Sequence, residues 1–178
     1  AKAIEATGHG LGWTEGDLGQ GRSFQFRMPS GQLTEIYFES EKYQSSTEDA
    51  SALKNTASKF PGRGMNVRRL DHLNLLAPDV AAFQDFQLNT LGGRLTETII
   101  SDEERVLGAW VSVNSKSYDL AVTEDHLQGA KGRFHHVTYA VNSREEVLIA
   151  ADIALENGIT IETGPHKHAI QQTFFLYL

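Results

Sequence analysis

The chain has 178 residues, 40% of them apolar, with 23 acidic against 16 basic residues, a net charge of −7 and no cysteine. That suffices for one full domain, or a domain with a fragment of another, and it excludes disulfides, zinc–thiolate sites and thiol nucleophiles. The acidic balance speaks against nucleic acid or an acidic membrane surface as partner, and no apolar run approaches the roughly 20 residues of a membrane span.

The N-terminus, Ala1 to Gly8, lacks the charged start and apolar core of a signal peptide, so a soluble cytoplasmic protein is expected. It reads as the tail of a helix closed by Gly8, followed by a glycine-rich loop from Gly8 to Gly21. Two strands are expected at Ser23–Arg27 and Leu33–Phe38, joined by the turn Pro29-Ser30-Gly31. Residues 44–65 are polar and read as a linker with a short helix around Ala50–Ser58.

From residue 66 the pattern becomes regular. A strand holding Leu70-Asp71-His72-Leu73-Asn74-Leu75-Leu76 precedes Asp79, a helix cap, and a helix whose inner face is Val80, Phe83 and Phe86. Gly92-Gly93 ends that helix, and strands are expected at Arg94–Ile100, Val106–Val113 and Ser117–Val122. The pattern then restarts with Phe134-His135-His136-Val137-Thr138-Tyr139-Ala140. Ser143 to Glu146 reads as a capping box, and Val147, Ala150, Ala151 and Ala154 keep helical spacing up to Asn157-Gly158. Strands are expected at Ile159–Glu162 and Thr173–Leu178 around a loop Gly164-Pro165-His166-Lys167-His168. The opening without Met and the stop in mid-strand read as the ends of a fragment.

Laid side by side, His72 matches His136 and Asn74 matches Thr138, and a capping residue stands seven positions after each histidine. The fold expected is therefore α+β, made of paired βαβββ modules whose curved sheets wrap a polar funnel, the last module incomplete. Strand alternation sends His72 and Asn74 to one face, and Leu73 and Leu75 to the helix side. His136 shares its face with Thr138, whereas His135 goes with Val137, Tyr139 and Val141 and is expected to be packed or to stand beside the metal ligands.

Two imidazoles from matched strands can hold a divalent metal, and a carboxylate is the common third ligand, leaving positions open on Fe(II). No acid between residues 133 and 178 stands out for that place. Glu35, on a strand after the Pro29 turn, reads as structural. If residues 1–43 are the tail of an earlier module, the matching Glu falls about ten residues past Leu178, one further turn and strand away.

His72 in Asp-His-Leu-Asn, His136 in Phe-His-His-Val, and Gly164-Pro-His-Lys-His168 followed by Tyr177 resemble the second-domain motifs of the catechol 2,3-dioxygenases. These are extradiol ring-cleaving enzymes of the vicinal oxygen chelate superfamily. The resemblance implies that 1–43 is the tail of a non-catalytic N-terminal domain and 66–178 a catalytic, metal-binding domain lacking its final strand. It implies Fe(2+) held by His72, His136 and a Glu from a Pro-x-Gly-Asn-x-x-Glu segment beyond Leu178. It also implies His168 and Tyr177 as substrate-contacting catalytic residues and His135 as a neighbour of the metal ligands. Tyr118 stands where the family usually has the histidine that assists O₂ binding and proton transfer. The implied reaction is extradiol cleavage of catechol or a substituted catechol by O₂ to 2-hydroxymuconic semialdehyde, in a homo-oligomer, often a tetramer. Two other readings stay open: a glyoxalase-like metal lyase, and a metal-free small-molecule binding module on the same fold.

Overall fold

The computed structural model describes residues 1–56, 64–169 and 171–178. By packing, the chain divides into two compact units, residues 1–43 with 71–138, and residues 44–70 with 139–178.

The first unit begins with helix α1 (Lys2–Ala6), closed by Gly8 at φ 77°. Strands β1 (Gly10–Thr14), β2 (Ser23–Arg27) and β3 (Leu33–Tyr37) form an antiparallel sheet in that order. β1 lies inside the stretch expected to be a glycine-rich loop. Its glycines are there for closeness and bend: a Cβ on Gly10 would sit 3.0 Å from the Phe24 ring, and Gly12 takes φ 121° at a bulge.

β4 (Val67–Ala77) leads into α2 (Val80–Asp85), capped by the Asp79 carboxylate, which accepts from the Ala82 N–H at 2.9 Å. The helix widens into a π-turn over Phe86–Thr90, and the chain turns out of it at Gly92, φ 74°. Gly93 follows because a Cβ there would meet Val111 at 2.6 Å. β5 (Arg94–Ile100), β6 (Val106–Ser112) and β7 (Leu120–Glu124) complete a βαβββ module. With β8 (Phe134–Val141) they form a sheet ordered β5-β6-β7-β4-β8, in which β4 runs parallel to β7.

β7 starts later than the strand expected from Ser117. The Asp119 carboxylate gathers the Val113 N–H (2.9 Å), the Asn114 amide (2.7 Å), the Ser112 hydroxyl (3.2 Å) and the Lys116 ammonium (2.8 Å), which holds the preceding residues as a loop. Those hydrogen bonds and the Lys116 charge outweigh the burial that would raise the Asp119 pKa, and leave it below the usual carboxylate range.

One apolar core serves this unit. Phe24 and Phe26 from β2 pack with Val80, Phe83 and Phe86 from the helix and with Leu75, Ala109 and Val122 from the sheet. The N-terminal 43 residues thus share a core with the first histidine-bearing module. Each fully buried Phe here contributes on the order of 1.5–3 kcal/mol by leaving water.

The second unit contains α3 (Arg144–Glu156), β9 (Thr163–Lys167) and β10 (Phe174–Tyr177), the two strands pairing antiparallel. Ala150, Ala151 and Ala154 are buried, as the helical spacing predicts. The reciprocal capping box does not form. The Ser143 hydroxyl bonds the Glu145 carboxylate instead, and the Glu146 carboxylate accepts the Asn66 N–H at 2.7 Å.

Residues 159–162 are not a strand, and most of the expected loop 164–168 is one: β9 runs through Gly164-Pro165 to Lys167, and His168 lies just past it. A proline is tolerated in a strand with an unpaired side, and in a two-stranded sheet both strands have one. Gly164 is required at φ 98°, since a Cβ would lie 2.6 Å from the Phe175 carbonyl oxygen. The helix expected around Ala50–Ser58 is absent over residues 50–56, which make turns, and positions 57 and 58 lie outside the described residues. No helix among the described residues is long and apolar enough to cross a membrane.

Candidate metal centre

β4 carries His72 and β8 carries His136. Both histidines and their nearest partners belong to the first packing unit. The His72 side chain is 11% exposed, and both its ring nitrogens are engaged: Nδ1 lies 3.0 Å from Asp71 Oδ2, and Nε2 lies 3.1 Å from the Thr138 hydroxyl. The Tyr118 ring meets it edge-on, with centroids 4.7 Å apart.

His136 lies half-buried, as do Thr138 and Ala140, while His135, Val137 and Tyr139 alternate with them and are exposed. The alternation therefore picks the inward histidine as expected. His135 is exposed, so of the two expectations for it, packed or beside the metal ligands, the first does not hold. The strand period fixes which side it takes, and nothing in the period says whether that side is covered. His135 nonetheless touches its neighbour, Nδ1 to Nδ1 at 2.7 Å, so one ring donates and the other accepts.

The His72 and His136 ring centroids are 5.6 Å apart at 77°. An imidazole nitrogen about 2.1 Å from a divalent ion sets its ring centroid about 3.2 Å away, so two rings on one ion stand about 4.6–5.3 Å apart. The observed separation is a small side-chain adjustment from that, and the pair fits the imidazole part of a metal site. Among the described residues no group of three or more His, Cys, Asp or Glu side chains is placed to hold a metal ion. Glu35, read as structural, accepts from Gln25 at 2.5 Å, from Ser23 at 3.0 Å and from Gln20. These donors hold its carboxyl below the usual range.

His168 and Tyr177 come together within the second unit. The His168 ring stacks on Phe175 at 3.8 Å and meets Tyr177 edge-on at 6.0 Å. Burial, and secondarily the Glu162 carboxylate, pushes the Tyr177 phenol above its ordinary pKa, so it stays a proton donor across the neutral range.

Two participants were not singled out by sequence reasoning. Asp71 gives no signal beyond standing next to His72. Lys116, which donates to the Asp71 carbonyl oxygen, is 45 positions away and has no local signature.

Residues 69–177 match the family described as Glyoxalase/Bleomycin resistance protein/Dioxygenase superfamily. The chain is 38% identical over 175 residues to a protein named Metapyrocatechase from Geobacillus stearothermophilus, covering 98% of this chain and 53% of that protein. It is 35% identical over 181 residues to a manganese-dependent 2,3-dihydroxybiphenyl 1,2-dioxygenase from Geobacillus genomosp. 3, covering 100% of this chain and 57% of that one. Among solved structures, the 2,3-dioxygenase LapB from Pseudomonas sp. KL28 superposes with a TM-score of 0.83 at 27% identity, over 99% of this chain and 60% of that one. Homoprotocatechuate 2,3-dioxygenase from Arthrobacter globiformis gives 0.78 at 26%, over 98% and 51%. The chain spans about half the length of the curated relatives it matches. On the family match over most of its length, carried by the two modules that bear His72 and His136, the chain belongs to the glyoxalase/bleomycin resistance protein/dioxygenase superfamily.

Proposed function

We propose that this chain supplies the metal-holding half of an extradiol dioxygenase that opens catechol, or a substituted catechol, with O₂ to a 2-hydroxymuconic semialdehyde. The observation that carries this reading is the pair of imidazoles, at matched positions of two modules, with centroids 5.6 Å apart. His72 and His136 hold a divalent metal, Fe(2+) or Mn(2+), together with a carboxylate that the described residues do not supply. Fe(2+) is the expectation from the motifs, and the manganese-dependent relative keeps Mn(2+) beside it. When bound, such a metal would supply Lewis-acid binding for the catechol and for O₂, with His72 and His136 among the residues that would hold it.

The rest is done by side chains. His168, stacked on Phe175, is the candidate base for a catechol proton. Tyr177 keeps its phenol protonated and can donate to a substrate oxygen. Tyr118 occupies the place of the family's histidine and meets the His72 ring at 4.7 Å between centroids. In this reading Tyr118 orients His72.

A second reading, a binding module that takes its small molecule without metal, is favoured by one observation: no three-donor cluster exists among the described residues. Anaerobic titration of the chain with Fe(2+) or Mn(2+) separates the two. The proposal expects one ion per chain, lost in both His72→Ala and His136→Ala, and, once air and catechol are then admitted, a yellow product that tracks metal content. Binding of catechol by metal-free chain, with no ion taken up at any concentration tried, would establish the second reading.

A further inference from the structure

We propose that Asp71 is a positioning residue that fixes the tautomer of His72, so that Nδ1 carries the hydrogen and Nε2 presents its lone pair to the metal. The inference rests on the reading of His72 as a ligand given above. It adds the group that decides which nitrogen can ligate.

The argument is one of donors and acceptors. A carboxylate can only accept, so the His72 Nδ1 at 3.0 Å from Asp71 Oδ2 must donate; a lone pair there would face a lone pair. A neutral imidazole carries one hydrogen, and with it on Nδ1, Nε2 is left as an acceptor. The group facing Nε2 at 3.1 Å is the Thr138 hydroxyl, which donates or accepts as its neighbour requires. Of the two partners only Asp71 dictates, and Thr138 adapts.

The surroundings keep this arrangement from rotating away. Lys116 donates to the Asp71 carbonyl oxygen and pairs with Asp119 at 2.8 Å. The Leu73 N–H donates to the Asp119 carbonyl at 3.2 Å, so the backbone is held on both sides of His72. The Tyr118 ring packs against the His72 ring, with centroids 4.7 Å apart at 62°. Carboxylates that orient a ligating imidazole in this way also raise its basicity, and their loss typically weakens metal binding about 10–100-fold.

The test uses the full chain labelled with nitrogen-15, metal-free, at about pH 8, above the ordinary imidazole range. His72 signals are assigned by their absence in His72→Ala. The wild-type spectrum should show a protonated Nδ1 and an unprotonated Nε2. In Asp71→Ala the major form should switch to protonated Nε2, and the Mn(2+) concentration that broadens the His72 signals should rise about 10–100-fold. A protonated Nε2 in a wild-type chain that takes up Mn(2+) overturns the role of Asp71 and leaves the metal reading standing. Asp71→Ala with an unchanged tautomer and midpoint does the same. Should that variant not fold, the wild-type spectrum alone decides the tautomer. A wild-type chain with protonated Nδ1 but no response to Mn(2+) overturns the metal reading instead.

Discussion

His72 and His136 occupy the same position of two matched modules, yet their settings differ. His72 is nearly buried, with a carboxylate on one nitrogen, a hydroxyl on the other and a phenol ring against its side. His136 is half-buried, and its Nδ1 leans on another histidine that is itself exposed. Duplication of a strand–helix pattern reproduces where a side chain points. It does not reproduce what holds it there: Asp71 stands before His72 where His135 stands before His136, and the Tyr118 ring that meets His72 comes from the loop before β7.

The modules differ in the same way beneath the histidines. The first rests on large buried aromatics, the second on three alanines of α3. Phe83→Ala should therefore destabilise the chain by about 3–5 kcal/mol, through lost burial and a cavity that cannot close around Phe24 and Phe86. Ala154→Gly, in the buried face of α3, should cost only about 1 kcal/mol, mostly backbone entropy. Urea unfolding of the two variants measures the contrast, and equal losses would remove it.

The helix starts give a smaller version. Asp79 caps α2 with a real hydrogen bond, whereas Ser143 caps no N–H of α3. Asp79→Ala should cost about 1 kcal/mol, and Ser143→Ala less than about 0.5 kcal/mol. A Ser143 loss matching that of Asp79 would mean the capping box expected from sequence forms in solution after all.

These cases also show what could be read from the chain before its structure. Strand and helix periods, the Asp79 cap and the inward choice of His136 over His135 follow from local rules, and local rules suffice where a residue's role is set by its neighbours in sequence. Several of the misses share a cause, which is distance along the chain. β1 was hidden because its glycines answer to Phe24 across the sheet. β9 was read as a loop because Gly164-Pro165 signals a turn unless a partner strand is known to lie against Gly164. Ser143 and Glu146 satisfy the capping-box pattern but are engaged by Glu145 and by Asn66, and only the latter, 80 positions away, holds Glu146. For the candidate centre, the two matched histidines are legible as a repeated pattern, while Asp71 and Lys116 are not, since the pattern says nothing of what touches each ring.

The loop that Asp119 ties can be loosened with acid. Asp119 has its folded pKa below its unfolded value, so its stabilising contribution is full above the ordinary carboxylate range near pH 4 and is lost as pH falls through the depressed folded value. The Tm of wild type should exceed that of Asp119→Asn at neutral pH, and the two curves should converge on acidification. Because Asp119 is only partly buried, the gap should be modest. Parallel curves down to the acid limit would show that the carboxylate's charge does not matter to the loop.

The smallest expected effect tests the asymmetry at the centre itself. His135→Ala removes the partner of His136 Nδ1, just as Asp71→Ala removes the partner of His72 Nδ1. The two losses should not be equal. His135 is exposed, so water can take its place as a hydrogen-bond partner at little cost, whereas the Asp71 carboxylate brings a charge and a fixed acceptor beside a ring that is 11% exposed. Water-bridged contacts lose little enthalpy relative to direct ones, and the expected change in Mn(2+) midpoint for His135→Ala is less than about threefold. A change as large as that for Asp71→Ala would mean the exposed histidine orients its neighbour as strictly as a carboxylate does. The second module would then supply a support of its own, of a chemistry different from the first.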